Sequence, residues 1–521
     1  LATQASTAPS ETRASPYSWY VLIVLFLVYA LNFIDRQIIT ILADDIQKDL
    51  GLSHADIGFL YGTAFGVFYA LFGIPLGRLA DNWHRVRLLT AGLALWSAMT
   101  ALSGLARNGL QLTAARIGVG IGEATASPAA YSLLSDWFPK RQRATALAIY
   151  SAGIYFGGGF SLFLGGKIVE WWNAAYPGGG PFGLVGWQAA FMAVGLPGIV
   201  LAVIVFTLRE PQRGQSEGLI APPHPAPFKA FFEDLLTIVP PFTLIGAARN
   251  GVNALIGNLA VLLLVILAVG GLIWAGEPKP QWIAVGIGVY AVYSWAAALR
   301  HRDRPTFALI VGTPAFLFVV LAYGLNAFMA YAVSAVAPIY GIRTFGATPA
   351  EIGLYVGGPA ILAGFLGVTL GGMAADRLRQ RFASGRIAVI LFGAVAPIPP
   401  VAIAFTTGDK SIYYAMLPIA QFLASSALGS AAAATQDLVL PRMRGTATAA
   451  FFIGTTLLGL AMGPYLAGRI ADLHGGNLST GILWLIATVP LAVLAGFAAY
   501  RLVPKAEASR EERARQAGEP L

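Results

Sequence analysis

The sequence predicts an all-α polytopic membrane protein: two related six-helix bundles with two extra helices between them, fourteen spans in all. Three observations predict it. The 521 residues are 57% hydrophobic and 11% charged, with a mean hydropathy of +0.68, too little charge to keep a soluble chain of this size dispersed. Apolar runs of about 20 residues, long enough to cross a bilayer, recur along the whole length. Finally, residues 55–81 and 350–376 are two copies of one pattern. A single gap-free shift of 295 positions places Ala55 on Ala350, Ile57 on Ile352, Gly58 on Gly353, Gly62 on Gly357, Gly77 on Gly372 and Asp81 on Asp376. Repeated units in a hydrophobic chain point to a transporter made of two halves.

Taken in order, residues 1–17 are polar and rich in Ala, Ser, Thr and Pro and read as a disordered cytoplasmic tail. The first apolar run is too long for a cleaved signal peptide and is kept as a span. Spans are expected near 18–41, 56–80, 86–106, 110–136, 144–170 and 187–208, forming a first bundle over 18–208. Residues 209–305 form a link. It starts proline-rich, around Pro222-Pro223-His224-Pro225, and continues as an amphipathic stretch near Phe228 to Leu236 that suits the membrane surface. Two spans without counterparts in either half follow, 252–274 and 281–299, read as an inserted hairpin that packs or faces lipid. The second bundle, 306–503, holds spans near 307–339, 350–375, 387–406, 412–436, 446–470 and 480–502. A charged cytoplasmic tail, 504–521, ends the chain.

Charge placement sets orientation. Most of the 34 Lys and Arg lie in the tails and in even-numbered connections, such as His84-Arg85-Val86-Arg87 and Lys140-Arg141-Gln142-Arg143, which puts both termini in the cytoplasm. The net charge of +9 is therefore topology rather than a nucleic-acid footprint, and the expected setting is a bacterial inner membrane. Sixty glycines suit close helix packing in lipid. No cysteine is present, and all five histidines fall in loops or at helix ends, so neither a metal site nor a cofactor is expected.

A charge at mid-bilayer costs about 2.5–3.5 kcal/mol, so each one needs a reason. The first half has four: Asp35 and Arg36 in the first span, Arg116 and Glu123 in the fourth. At about 1.5 Å per residue, Asp35 and Arg116 each lie roughly 10 Å from the outer end, with Glu123 close to mid-membrane. Positions 116, 120 and 123 share a helix face and are expected to line a cavity. Asp35 with Arg116, or Arg36 with Glu123, would exchange partners during a cycle. A carboxylate facing Arg stays ionised and, moved into an apolar setting, takes a proton, which is a coupling device. The alternative is a static cluster that fixes helix packing. The second half offers neutral groups instead. Tyr323, Asn326, Tyr331, Gln421, Ser425 and Thr455, together with Asn32 of the first span, are candidate cavity-lining residues. A cavity polar on one wall and apolar on the other suits an amphiphile.

The segment Gly77-Arg78-Leu79-Ala80-Asp81-Asn82-Trp83-His84-Arg85 resembles the signature loop of the major facilitator superfamily, G-x-L-A-D-R-x-G-R, with Asn82 and His84 as departures. Its second copy keeps Gly372, Asp376 and Arg377. A further echo runs from Asp136 to Arg143 and from Asp437 to Arg444, and Gly166-Lys167-Ile168 answers Gly468-Arg469-Ile470. These gate motifs, Gly77, Asp81, Arg85, Asp136 and Arg143 with Gly372, Asp376, Arg377, Asp437 and Arg444, are expected to hold a cytoplasmic gate through helix-end capping and ion pairs. Within that superfamily, Asn32-Phe33-Ile34-Asp35-Arg36 with Arg116-Ile117-Gly118-Val119-Gly120-Ile121-Gly122-Glu123 looks like the Spinster family, as does Asp136-Trp137-Phe138-Pro139. The resemblance implies the major facilitator fold and alternating access. It also implies carriage of lysophospholipid or sphingolipid-like molecules, with proton coupling in some members, and it assigns Asp35, Arg36, Arg116 and Glu123 to coupling or substrate contact. The partners expected are a small amphiphile, protons and membrane lipid, with no nucleic acid, and the unit a monomer. Carriers of small organic or aromatic acids and multidrug/proton antiporters are the alternatives. A channel is disfavoured by the paired gates, and an enzyme by the lack of a clustered nucleophile or metal set.

Overall fold

The computed structural model describes residues 14–213 and 225–520, and among them every regular element is helical. Most of the leading tail and the Pro222-Pro223-His224 stretch lie outside the described residues. Among the described residues thirteen helices are long and apolar enough to cross a membrane, or fourteen if one bent pair is counted as a span.

In the first half, α1 (Pro16–Ile41) starts on Ser15, whose hydroxyl accepts from the Ser18 amide, with Pro16 preset for the first turn. A short collar, α2 (Ala43–Leu50), follows. Next, α3 (His54–Asn82) opens on a Ser53/Asp56 capping box and contains a π turn at Phe59–Thr63. After α4 (Arg85–Ser103) the expected fourth span is broken into α5 (Gly109–Glu123) and α6 (Ala126–Trp137). Pro128 cannot donate to the Ala124 carbonyl, and Thr125 Oγ1 bonds the Gly122 carbonyl at 2.8 Å instead. Then come α7 (Lys140–Ala175) and α8 (Gly186–Phe206).

The expected surface stretch is α9 (Pro227–Ile238), which meets α10 (Phe242–Arg249) at 99°. The inserted hairpin is α11 (Val252–Trp274) and α12 (Lys279–Arg302). The ninth expected span divides into α13 (Arg304–Ile310) and α14 (Pro314–Phe345), because Gly312 and Pro314 interrupt the backbone ladder. The rest of the second half is α15 (Pro349–Arg381), with a π turn at Gly353–Gly357, α16 (Gly385–Thr406), α17 (Lys410–Asp437), α18 (Pro441–Leu473) and α19 (Leu478–Ala508). The expected tail is helical: α19 continues past Pro504 and α20 (Arg510–Gln516) follows, with Glu519 paired to Arg442.

The halves meet along two seams, α3 against α18 and α7 against α15. Here the repeated glycines acquire a cause. A Cβ on Gly58 or Gly62 would collide with the carbonyl oxygens of Pro464 or Leu460, and one on Gly353 or Gly357 with the backbone at Phe163 or Gly159. Only glycine lets these backbones approach so closely. The seal lies at the end of the molecule that carries Ile41, His54, Ala175, Arg343 and Leu473, hereafter the sealed end. The opposite, basic end carries the gate motifs.

Candidate functional site

The buried charges of α1 and α5 meet inside the first half. Arg36 Nη2 lies 2.9 Å from Glu123 Oε2, with both side chains almost fully buried. The guanidinium stacks on Phe33, Phe65 and Tyr69, at 4.6, 4.4 and 5.0 Å from the ring centres. These aromatic faces replace water around a cation that could not otherwise sit there. Asn32 stands beside Glu123.

The other expected pair is arranged differently. Arg116 Nη1 donates to the backbone carbonyl of Asp35 at 3.0 Å, not to its carboxylate. Asp35 is fully buried, and its carboxylate turns toward Trp96 and Thr100 of α4, with no direct hydrogen bond among the described residues. The face of α5 expected to line a cavity is packed: a Cβ on Gly120 would stand 2.5 Å from the Phe65 carbonyl oxygen. The contribution of α4 was not legible, because Trp96 and Thr100 carry no charge and sit within the span like ordinary packing groups.

Of the neutral candidates, Tyr331 on α14 comes within electrostatic reach of Arg36. Tyr323 stacks on Phe451, with ring centres 5.3 Å apart. Asn326 Nδ2 donates to the Ala424 carbonyl at 3.3 Å, Gln421 Nε2 to Ser425 Oγ at 3.0 Å, and Thr455 Oγ1 to the Phe452 carbonyl at 3.3 Å. These five groups, Ser425 included, are engaged in packing within the second half.

At the basic end each half carries its own ion cluster. Arg85, fully buried, pairs with Asp136 and with Glu210 at 2.7 Å, and donates to the Pro211 carbonyl at 2.7 Å. Asp81 lies near Arg213, which donates to the Ala80 carbonyl at 2.7 Å and so caps α3. In the second half Asp437 pairs with Arg386, which also reaches Asp376 at 3.4 Å, and lies 3.7 Å from Arg379. Arg85 and Asp136 are 51 residues apart, as are Arg386 and Asp437. The sequence register of 295 concealed this match, because it places Arg85 on Gln380, and the gate expectation fell on Arg377 instead. Arg377 and Arg444 stand exposed, while Arg143 is half-buried at the start of α7. Gly77 and Gly372 make no close contact.

The sealed end holds side chains that the sequence reading did not single out. Asp472 of α18 accepts from the His54 and Ala55 amides, at 3.2 and 2.9 Å, and lies 2.7 Å from His54 Nδ1, capping α3 from the opposite half. Arg343 of α14 reaches Asp44 and His54, each at 2.7 Å, and Gln47 at 3.1 Å. Deeper in, Gln37 donates to Ser334 at 2.7 Å. The signal of Asp472 and Arg343 was faint: single charges at helix ends are common.

Two bundles joined by seams at one end, with ionisable groups buried in one of them, define a polytopic membrane transporter. The chain belongs to the Major Facilitator Superfamily, whose profile matches residues 25–341 and 319–521. Within it the chain is Spinster-like. It superposes on the crystal structure of a bacterial homologue of the human lysosomal transporter Spinster, inward-facing and unoccupied. The TM-score is 0.66 at 25% identity, covering 96% of this chain and 98% of that one. It is 25% identical to protein spinster of Drosophila melanogaster over 87% of this chain and 62% of that protein. An MFS-type efflux pump of Mycolicibacterium smegmatis is 27% identical over 91% of this chain and 90% of the pump. A "Probable galactarate/D-glucarate transporter" of Bacillus subtilis is 30% identical over 40% of this chain and 44% of its own length.

Proposed function

We propose that the chain is an alternating-access, proton-coupled secondary transporter of an amphiphile, such as a lysophospholipid or sphingolipid-like molecule. One observation carries this reading. Asp35, Arg36, Arg116 and Glu123 are buried together in the first half, and the second half meets them with a neutral aromatic, Tyr331. A headgroup would bind the first half and an apolar body the second. Arg36 leaving Glu123, or Arg116 passing from the Asp35 backbone to its carboxylate, changes which acid has a cationic partner. An acid that loses its partner gains a proton. With the basic end in the cytoplasm of a bacterial inner membrane, the sealed end faces outward and the form described is inward-facing.

A thermal-shift screen of lysolipids, sphingoid phosphates and small organic acids tests the substrate class. Stabilisation by lysolipids or sphingoid phosphates is expected, and stabilisation by hydrophilic acids alone would overturn the lipid reading. Proton-driven uptake of the stabilising compound should drop to background in Asp35→Asn and Glu123→Gln, whereas undiminished coupling in both leaves a static cluster. Carriage of small organic acids is the second reading, favoured by the partial matches to galactarate/D-glucarate transporters. Drug efflux is a third, favoured by the match to the efflux pump.

A further inference from the structure

The inserted hairpin is built into the join between the halves rather than laid on the lipid surface. Its first helix, α11, is exposed or half-buried along its length, with Asn258 alone fully buried. Its second, α12, lies in the groove between α3 and α18. Ala291 and Trp295 pack with Val67, Ala70 and Leu71 of α3 and with Ile453 and Ala461 of α18. A Cβ on Gly288 would meet Leu457 of α18 at 2.9 Å and Val67 of α3 at 3.5 Å.

Both ends of α12 are tied to the second half. At the sealed end Glu277, just before α12, takes Arg469 Nη2 at 3.1 Å and Tyr465 Oη at 2.8 Å, both from α18, with Trp282 Nε1 at 3.4 Å. At the basic end Asp303, just after α12, pairs with Arg442 of α18 at 2.8 Å. The flank is tied to the first half, because Asp234 of α9 takes Arg78 of α3 at 2.9 Å and Arg302 of α12 at 3.0 Å.

We propose that the hairpin is a strap across the α3/α18 seam that stabilises the sealed state, with Glu277, Arg469 and Tyr465 as its latch. The connection runs in series. Apolar packing joins α3 to α12, and Glu277 joins α12 to α18 at the sealed end. When the halves rock, α3 and α18 part at that end, and α12 cannot stay with both. One of the two links must give, so each adds to the cost of opening. A carboxylate held by a guanidinium and a phenol makes charge-assisted hydrogen bonds, stronger than neutral ones and directional. The charged Asp234 and Asp303 contacts keep the basic end of the strap in place while the sealed end opens. The inference rests on alternating access and is independent of the substrate.

The chain has no cysteine, so single labels need no background removal. Spin labels at Ala174→Cys, at the end of α7, and Gly408→Cys, between α16 and α17, report the separation of the halves at the sealed end, away from the strap. In the purified full chain in lipid nanodiscs, wild type is expected to show mainly the short distance. Glu277→Gln should raise the long-distance fraction about fivefold, and Tyr465→Phe, which keeps the ring, about twofold. The swapped pair Glu277→Arg with Arg469→Glu should return it toward wild type. Unchanged distances in both Glu277→Gln and Tyr465→Phe would overturn the proposal. So would a swap no better than Glu277→Gln, which would make the effect one of packing. Distances are read without substrate, so failure here is separable from failure of the lipid reading.

Discussion

The two seams share a backbone design and differ in how they are fastened. In each, glycines one repeat apart let helices of opposite halves touch main chain to main chain: Gly58 and Gly62 on α18, Gly353 and Gly357 on α7. The α3/α18 seam adds the Asp472 cap on α3 and the α12 strap. At the α7/α15 seam the corresponding charges stay within one half. Glu170 pairs with Lys167 of its own helix, and Glu351 with Lys410 of its own half. Phe156, Phe163, Leu362 and Phe365 remain exposed beside it. The repeat thus supplies closure by shape on both sides, while among the described residues the directional polar fastening lies on the α3 side. The α7/α15 side is accordingly expected to be the looser one, with these exposed apolar side chains available to lipid.

The strongest way to break the comparison is to spoil the shape. Gly62→Leu and Gly357→Leu each place a side chain where a carbonyl oxygen sits, and overpacking of this kind costs about 1–3 kcal/mol. Either should reduce the sealed population about tenfold or more in the spin-label measurement, whichever seam is hit. Gly372→Leu, which meets open space, should not move it. An unchanged distance in the two seam variants would mean that the backbone contact does not hold the seal.

A smaller effect separates the seams. Asp472→Asn weakens three contacts to the opposite half, and charge-assisted bonds contribute about 1.5–3 kcal/mol. The sealed fraction should fall several-fold. Glu170→Gln removes a half-exposed pair within one helix and should change it by less than about twofold. Equal responses would erase the asymmetry.

The smallest effect concerns pH. Burial works against ionisation of Glu277, but hydrogen bonds from Arg469, Tyr465 and Trp282 prevail and hold its carboxyl below the ordinary value. A depressed carboxyl stabilises above its free value and loses that stabilisation as pH falls through the lowered one. The difference between wild type and Glu277→Gln should therefore stay constant from about pH 8 to pH 5 and close only below about pH 4. A difference that vanishes by pH 6 would show that another group controls the latch.

Much of this was legible in the sequence because hydropathy and spacing are local. The apolar runs mark the membrane helices but not the breaks inside them, such as those at Ala124-Thr125 and Gly312. The repeat marked Gly58, Gly62, Gly353 and Gly357 but not their partners. Arg386 was missed because its partner Asp437 lies 51 residues away in a register different from the one that aligns Asp81 with Asp376. Glu277 and Asp472 were missed because a charge at a helix end usually has no role beyond solubility.

By itself, the sequence determined the class of protein, the halves, the inserted pair of helices and the four charges that lipid could not tolerate. Tertiary structure alone decided who meets whom: Arg36 with Glu123, Arg116 with the Asp35 backbone, Asp35 with α4, and the hairpin with the seam. The reason is physical. Burial in a membrane follows from composition along one helix, whereas pairing depends on the rotation and approach of helices far apart in the chain, which are set where backbones touch at glycine.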